Sequence, residues 1–486
     1  MADNLQGKMF SGMLWTFVRQ FSMQGFAFVE GIILARILSP SDYGLIAMTT
    51  FFFAITGCFT DSGFSSALIR KKERTSEDFS TVFVTNVGMT FLFAVILCAC
   101  SPLIAQFYNE PILVYIVCAN AVLLFLNSFF SIQNTKLSID LDFKAQNLIR
   151  LITNVTIGIV TIGMAISGFG IWSLVWPNFL MPFMAGYMYW RHSHWFPGFK
   201  FSKKSWKEFF DYGSKILGTN LLNTIYDNIY PLIIGKKYAA TQLGYYTRAV
   251  GYATLPSFTL CTVLGPVAFP VLSTIQDDDM RLRDAYRRLI RVSGYVVFPL
   301  MMLLVALAKP AVVTLVTEKW LPSVAYLQIL CFAFMWNPIQ MLNLDLLQVK
   351  GRSDLFLRLE IIKKSLSLGV LFLSMPYGLL VMCVGQVVSS LICFVLNTYY
   401  TGKLINVGFC IQFMDLVPSL AYSVSMCFIV IGCNLMVESM WLQLVIGVSV
   451  GCIYYYTISK LTKSSELQYL QLVIKENFYK RLHKEK

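Results

Sequence analysis

Arg19, Glu30, Asp61, Lys215, Asp227, Arg248 and Asp345 stand inside stretches of sequence that are otherwise apolar for about 20 residues or more. An ionisable side chain in such a stretch costs about 2.5–3.5 kcal/mol to insert into a membrane. It therefore faces a wet cavity, meets a partner, or snorkels from a helix end. Arg19 and Glu30 are separated by about 20° of azimuth and about 16 Å of rise on an ideal helix, so one face carries a cation in its inner half and an acid toward its outer end. Asn220, Asn223 and Asp227 share another helical face, a polar stripe that either lines a path or bonds helices together. Lys215 lies off that stripe. Arg248 sits in the outer part of its stretch, where it could meet an anionic substrate. Asp61 and Asp345 lie toward the inner ends of theirs, where snorkelling competes.

Nothing in the sequence assembles a reaction centre. Asp277, Asp278 and Asp279 adjoin a basic helix start and read as solvated charge. His192 and His194 have no third ligand in reach of sequence spacing, and Gly168 and Gly170 fall in a tight turn that follows no strand. The twelve cysteines include no CxxC pair or metal-ligand grouping, and most lie within apolar stretches as small packing residues. We expect no catalytic residue, metal or cofactor, and no enzyme.

The elements that must hold these charges are membrane helices. The chain has 486 residues, 56% of them hydrophobic and 13% charged, with mean hydropathy +0.63. Its apolar residues come in about fourteen blocks between residues 9 and 460, each long enough to cross a hydrocarbon core of about 30 Å. Of the thirty-nine Lys and Arg, only Arg36, Lys236, Lys237, Lys309 and Lys319 occupy one alternate set of gaps. The other set holds the rest, apart from the intramembrane Arg19, Lys215 and Arg248. By the positive-inside rule both termini are cytoplasmic. The gaps on the exterior side are too short for an exterior domain. The net charge of +13 is spread over many gaps, which excludes a nucleic-acid footprint and suits anionic membrane lipid. The first stretch is too long for the apolar region of a cleavable signal.

The sequence also repeats. Shifted by 200 positions, 33-ILARILSPSDYGLIAM-48 overlays 233-IIGKKYAATQLGYYTR-248, so that Arg36 meets Lys236, Ser41 meets Thr241 and Gly44 meets Gly244. An even number of spans separates the copies, so the two halves have parallel topology. Repeated lobes with a substrate path between them are a transporter signature. We expect an N-terminal lobe (1–200), a C-terminal lobe (201–402), an accessory helix pair (403–461) and a basic cytoplasmic tail (462–486).

The segments 34-LARILSPSDYGLIAM-48, 61-DSGFSSALI-69, 168-GFGIWSLV-175, 243-LGYYTRAV-250, 269-FPVLSTIQDD-278, 318-EKWLPSV-324 and 351-GRSDL-355 resemble the bacterial polysaccharide transporter family. This is the Wzx and colanic-acid-exporter branch of the multidrug/oligosaccharidyl-lipid/polysaccharide (MOP) flippase superfamily. The resemblance implies an all-α, MATE-like fold of two six-helix lobes around a central cavity. It implies a polyprenyl-pyrophosphate oligosaccharide turned from the inner to the outer leaflet of the bacterial inner membrane by alternating access, for capsule, exopolysaccharide or O-antigen synthesis. Arg19, with Arg248 and Lys215, would then attract the pyrophosphate, because Arg offers it paired, charge-assisted hydrogen bonds. Glu30, Asp61, Asp227 or Asp345 would exchange H⁺ or Na⁺, and Asn220 and Asn223 would line the path. Membrane lipids and polysaccharide polymerase machinery are the implied partners. The competing readings are a MATE-like drug/cation antiporter, with about twelve spans and an acid-rich cavity, and a membrane polysaccharide polymerase or acyltransferase. The latter would need a large exterior loop or an intramembrane His/Asp set.

Overall fold

The computed structural model describes residues 23–472 except residues 62 and 199. Arg19 and the side chain of Asp61 lie outside the described residues. The described chain is helical and without strands. Its helices fall on the apolar stretches expected from the sequence, and the protein is a multi-pass membrane protein. Among the described residues nine helices are long and apolar enough to span a membrane. A pair of helices bent by 41° at a short break is together long and apolar enough as well.

The chain divides into two compact units, Met1–Thr247 and Arg248–Lys486. In the first, α1 occupies residues 23–37 and α2 runs Pro40–Asp61. Ser39 makes the break between them. Its hydroxyl donates to the Asp42 carboxylate (2.7 Å), which also accepts from the Ser39 backbone N–H (2.8 Å), while Pro40 supplies a first-turn residue that has no N–H to leave unpaired. The short α3 (Phe64–Arg70) is followed by α4 (Ser76–Tyr108), which opens on a capping box between Thr75 and Asp78 and closes on Asn109 in the left-handed region. Then come α5 (Leu113–Ser128) and α6 (Ser131–Ile139), the bent pair, and α7 (Phe143–Ile166) and α8 (Leu180–Ser193). Asp142 caps α7 by accepting from the Ala145 N–H (3.0 Å) and also bonds His192 (3.0 Å). Burial would raise the Asp142 carboxyl, but these two bonds outweigh it and hold the group below the usual range.

The 35-residue α9 (Lys203–Lys237) packs on α2, α3 and α4. It is not among the helices apolar enough to span, and Asn220, Asn223, Asp227 and Asn228 interrupt its apolar residues. Phe64, Leu68, Val82, Phe83, Ile132 and Phe209 form a buried cluster that ties α9 to α3, α4 and α6.

The repeat read from the sequence is a repeat in space. α1 ends three residues before Pro40 and α9 ends three residues before Ala240, where α10 (Ala240–Thr274) begins. The two copies then meet each other. A side-chain carbon on Gly44 would strike the carbonyl of Ala240, and one on Gly244 would strike the carbonyl of Pro40. Positions 40 and 44 thus contact 244 and 240 reciprocally, as in an isologous two-fold interface. Only hydrogen at both Cα atoms permits that approach.

In the second unit α11 (Asp279–Leu315) is the central helix, with large parts of its length buried. Around it stand α12 (Ser323–Phe334), α13 (Asn337–Val349), α14 (Ser353–Ser374) and α15 (Leu379–Ile405). The last pair, α16 (Phe409–Leu435) and α17 (Met440–Leu461), docks on α11. Arg287 grips Asp415 with two bonds of 2.7 Å, and the Tyr455 hydroxyl donates to the Tyr295 carbonyl (2.9 Å). Asn343 and Gln412 exchange amide bonds of 3.1 Å in each direction, and Gln412 also donates to Thr401 (2.8 Å), so this buried node of α13, α15 and α16 is well bonded. The acidic run has a structural role: Asp278 caps α11 and Asp279 pairs with Lys350 (2.7 Å).

Candidate functional site: a polar cavity in the first unit

The bend between α5 and α6 opens a cavity of about 440 Å³, closed by α7, α8 and the start of the described α1. The Trp190 indole N–H of α8 donates to the Phe129 carbonyl at the bend (3.1 Å), and Phe130 stacks on Tyr189 with ring centres 5.6 Å apart. Those rings form one wall. Asn127, Ser131, Asn134, Thr153 and Asn154 supply amides and hydroxyls, and Arg150 supplies a guanidinium.

The cavity's hydrogen-bonding capacity is only partly used. Asn134 Oδ1 accepts from Gln146 Nε2 at 2.6 Å and from Arg150 only at 3.4 Å. No carboxylate pairs with Arg150 among the described residues. Thr153 is 1% exposed, and its hydroxyl, like the Asn127 Oδ1, meets no hydrogen-bond partner among the described residues. A buried polar group left unpaired costs about 1–3 kcal/mol, so a cavity with such groups favours a polar guest or water. One guanidinium, several amides and hydroxyls and an aromatic wall suit a hydroxyl-rich, anion-bearing molecule.

Glu30 lies along the same seam. On α1 it is about 10 Å of helical rise beyond the cavity-lining Met23. Its Oε2 comes within 3.0 Å of where a side-chain carbon on Gly158 would sit, and the Phe26 ring fills the rest of that space. Gly158, one turn beyond Asn154 on α7, therefore lets α1 lie close.

The other residues named from the sequence are placed apart. Lys215 pairs with Asp211 (3.5 Å), both largely exposed on α9. Asn220 and Asp227 are exposed on α9 and Asn223 is half-buried, while Thr224 beside them touches Cys58 of α2 (3.0 Å). Arg248 and Asp345 belong to the second unit. The Arg248 guanidinium lies 5.9 Å from the centre of the Trp320 ring. Asp345 sits near the Cys261 thiol, one turn from Met341, which lies 3.8 Å from where a side-chain carbon on Gly265 would sit, and its Oδ2 has no hydrogen-bond partner among the described residues.

Sequence reasoning missed Arg150 and its companions. Charge counting puts Arg150 with the cations of a basic gap. The available signal was periodicity, since Asn147, Arg150 and Asn154 recur at three- and four-residue spacing inside an apolar stretch. It also missed the acid–base cluster of α14, where the buried Lys363 pairs with Glu360 at 2.5 Å.

The described chain is thus a membrane-embedded helical bundle with a polar cavity in its first unit. The fold is similar to that of the lipid II flippase MurJ in an inward closed conformation (TM-score 0.76, 14% identity, 93% of this chain and 98% of that one). It is less similar to an inward-facing multidrug resistance MATE family transporter of the MOP superfamily (TM-score 0.61, 14% identity, 78% of this chain and 94% of that one). The family model described as polysaccharide biosynthesis protein matches residues 33–325, and the chain belongs to that family. Among its relatives is the teichuronic acid biosynthesis protein TuaB of Bacillus subtilis, 25% identical over 456 residues that span 92% of this chain and 94% of TuaB.

Proposed function

We propose that this protein is an inner-membrane flippase that moves polyprenyl-pyrophosphate-linked oligosaccharide units to the outer leaflet for surface polysaccharide synthesis, and that it catalyses no reaction. The observation that carries this reading is the polar cavity around Arg150, with no carboxylate in its lining among the described residues, inside a membrane bundle of the polysaccharide biosynthesis family. Such a cavity accepts glycan hydroxyls and an anion, whereas a drug/cation antiporter calls for acids. The exposed α9 face with Lys215, Asn220 and Asp227 is too polar for lipid and fits a water-filled path.

In this reading both termini are cytoplasmic, and the lobes 1–200 and 201–402 rock about the path while 403–461 forms an accessory pair and 462–486 a cytoplasmic tail. Arg19, Arg248 and Lys215 draw in the pyrophosphate. Glu30, Asp61, Asp227 or Asp345 exchanges H⁺ or Na⁺, which ties transfer to an ion gradient, and polymerase machinery takes up the product. Collapsing the pH and Na⁺ gradients separately in vesicles tests the coupling: transfer that continues at full rate in both cases contradicts it.

Cells deprived of the protein are expected to accumulate lipid-linked units in the inner leaflet and to lose surface polymer. Arg150→Gln should restore polymer to about a tenth of normal or less, since a charge-assisted contact is worth about 1.5–3 kcal/mol. Normal polymer and an unchanged inner-leaflet pool without the protein would rule the function out.

A further inference from the structure

A second, separate cavity lies where the basic start of α11 gives way to apolar sequence. After α17 the chain turns at Lys463, whose φ is 52°, and residues 465–472 form a short helix, α18, capped by the Ser464 hydroxyl on the Leu467 N–H (3.2 Å). α18 folds against α11 and leaves an open-sided cavity of about 360 Å³ between Arg288, Arg291 and Val292 on one side and Glu466, Tyr469 and Leu472 on the other.

The arginines of this segment differ in how far their donors are used. Arg281 pairs with Asp278 at 3.2 Å and Arg287 is gripped by Asp415. Arg288 and Arg291, one turn apart, instead face the cavity. The Arg288 guanidinium lies 5.2 Å from the centre of the Tyr469 ring, a contact that uses its face, and its edge donors meet no acceptor among the described residues. Arg291 approaches Glu466 Oε1 only to 3.8 Å, beyond hydrogen-bond length, and that same oxygen already accepts from the Ser465 hydroxyl at 2.7 Å. Among the described residues the titratable groups facing the cavity are thus two cations, one partly engaged acid and a phenol, which together are net positive. Val292 and Leu472 make the rest of its wall apolar.

We propose that this cavity binds the phosphodiester headgroup of an acidic membrane lipid, clamped by Arg288 and Arg291 and covered by α18. Planar guanidinium groups match phosphate oxygens with paired bonds, and basic pockets between helices at the cytoplasmic boundary are sites for acidic lipid. The apolar wall is what distinguishes a lipid from a free anion, because it can shelter glycerol and the first acyl carbons. The proposal needs the membrane placement of α11 but not the flippase reading, since lipid binding is measured without transport. Its effect would be to fix the end of α17 and α18 on the central helix of the second unit.

The test is thermal unfolding of the full chain in a neutral detergent, titrated with phosphatidylglycerol, phosphatidylcholine or inorganic phosphate. Phosphatidylglycerol should raise the midpoint by several degrees, and phosphatidylcholine and phosphate should not. Arg288→Gln/Arg291→Gln should abolish the shift, whereas Arg281→Gln, which lies outside the cavity, should keep it. An equal shift from phosphatidylcholine, or an undiminished one in the double variant, overturns the proposal. An equal shift from inorganic phosphate overturns the lipid assignment in favour of a free-anion site.

Discussion

Gly44→Ala is expected to reduce transfer at least tenfold and to lower the unfolding temperature, although it adds a single methyl group. That methyl would occupy the space of the Ala240 carbonyl, which is backbone and cannot rotate away. Over-packing against side chains costs about 1–3 kcal/mol, and here the yielding element would have to be a whole helix, so we place the cost at about 3 kcal/mol or above. Gly244→Ala should behave alike because its methyl meets the Pro40 carbonyl in the same contact. The double variant should then cost much less than the two single effects added, since either methyl alone already parts the helices. Gly88→Ala is the control, with nothing within 4 Å of the added carbon. Glycine variants as stable and active as that control would show that the two repeat copies need not meet.

Asp415→Ala should destabilise the second unit by about 2–3 kcal/mol, the largest single effect expected there. The Asp415 side chain is 7% exposed and takes both of its bonds from Arg287, so its removal strands a guanidinium between α11 and α16. The Arg287 side chain is 31% exposed and regains some hydration, which keeps the cost below the about 3–5 kcal/mol of a wholly buried pair. Arg287→Met/Asp415→Leu should recover most of the loss, because two apolar partners leave no stranded charge. If unfolding curves show the double variant as weak as Asp415→Ala, the pair contributes attraction beyond the relief of burial. If Asp415→Ala is neutral, the accessory pair is held elsewhere.

Much of the fold was legible because its signals are local. Ser39, Pro40 and Asp42 write a helix start into the sequence, and long apolar blocks with alternating basic gaps announce a multi-pass bundle. The repeat at 33–48 and 233–248 was visible as matched residue types, and the structure gives both copies the same helix break. What the sequence could not show is that Gly44 and Gly244 lie against each other's helix, since contact between two copies is a tertiary fact. Arg287 and Asp415 lay hidden for the same reason. The candidate site was less legible than the fold. A charge count treats Arg150 as topogenic, because charge type alone does not say which way a residue near a helix end points. Its neighbours Asn134 and Tyr189 come from other helices and join it only through the bend at residues 129–130. Glu30 stood out in the sequence as an acid in an apolar stretch, yet the glycine that makes room for it, Gly158, sits far along the chain.

The most direct measurement is transfer itself. Purified protein in liposomes, loaded with a fluorescent polyprenyl-pyrophosphate oligosaccharide, would be followed by the rate at which the glycan becomes accessible to an impermeant quencher on the opposite face. We expect protein-dependent transfer that falls about tenfold or more in Arg150→Gln and in Gly44→Ala. Transfer no faster than in protein-free liposomes, beside an active control flippase, would contradict the assignment.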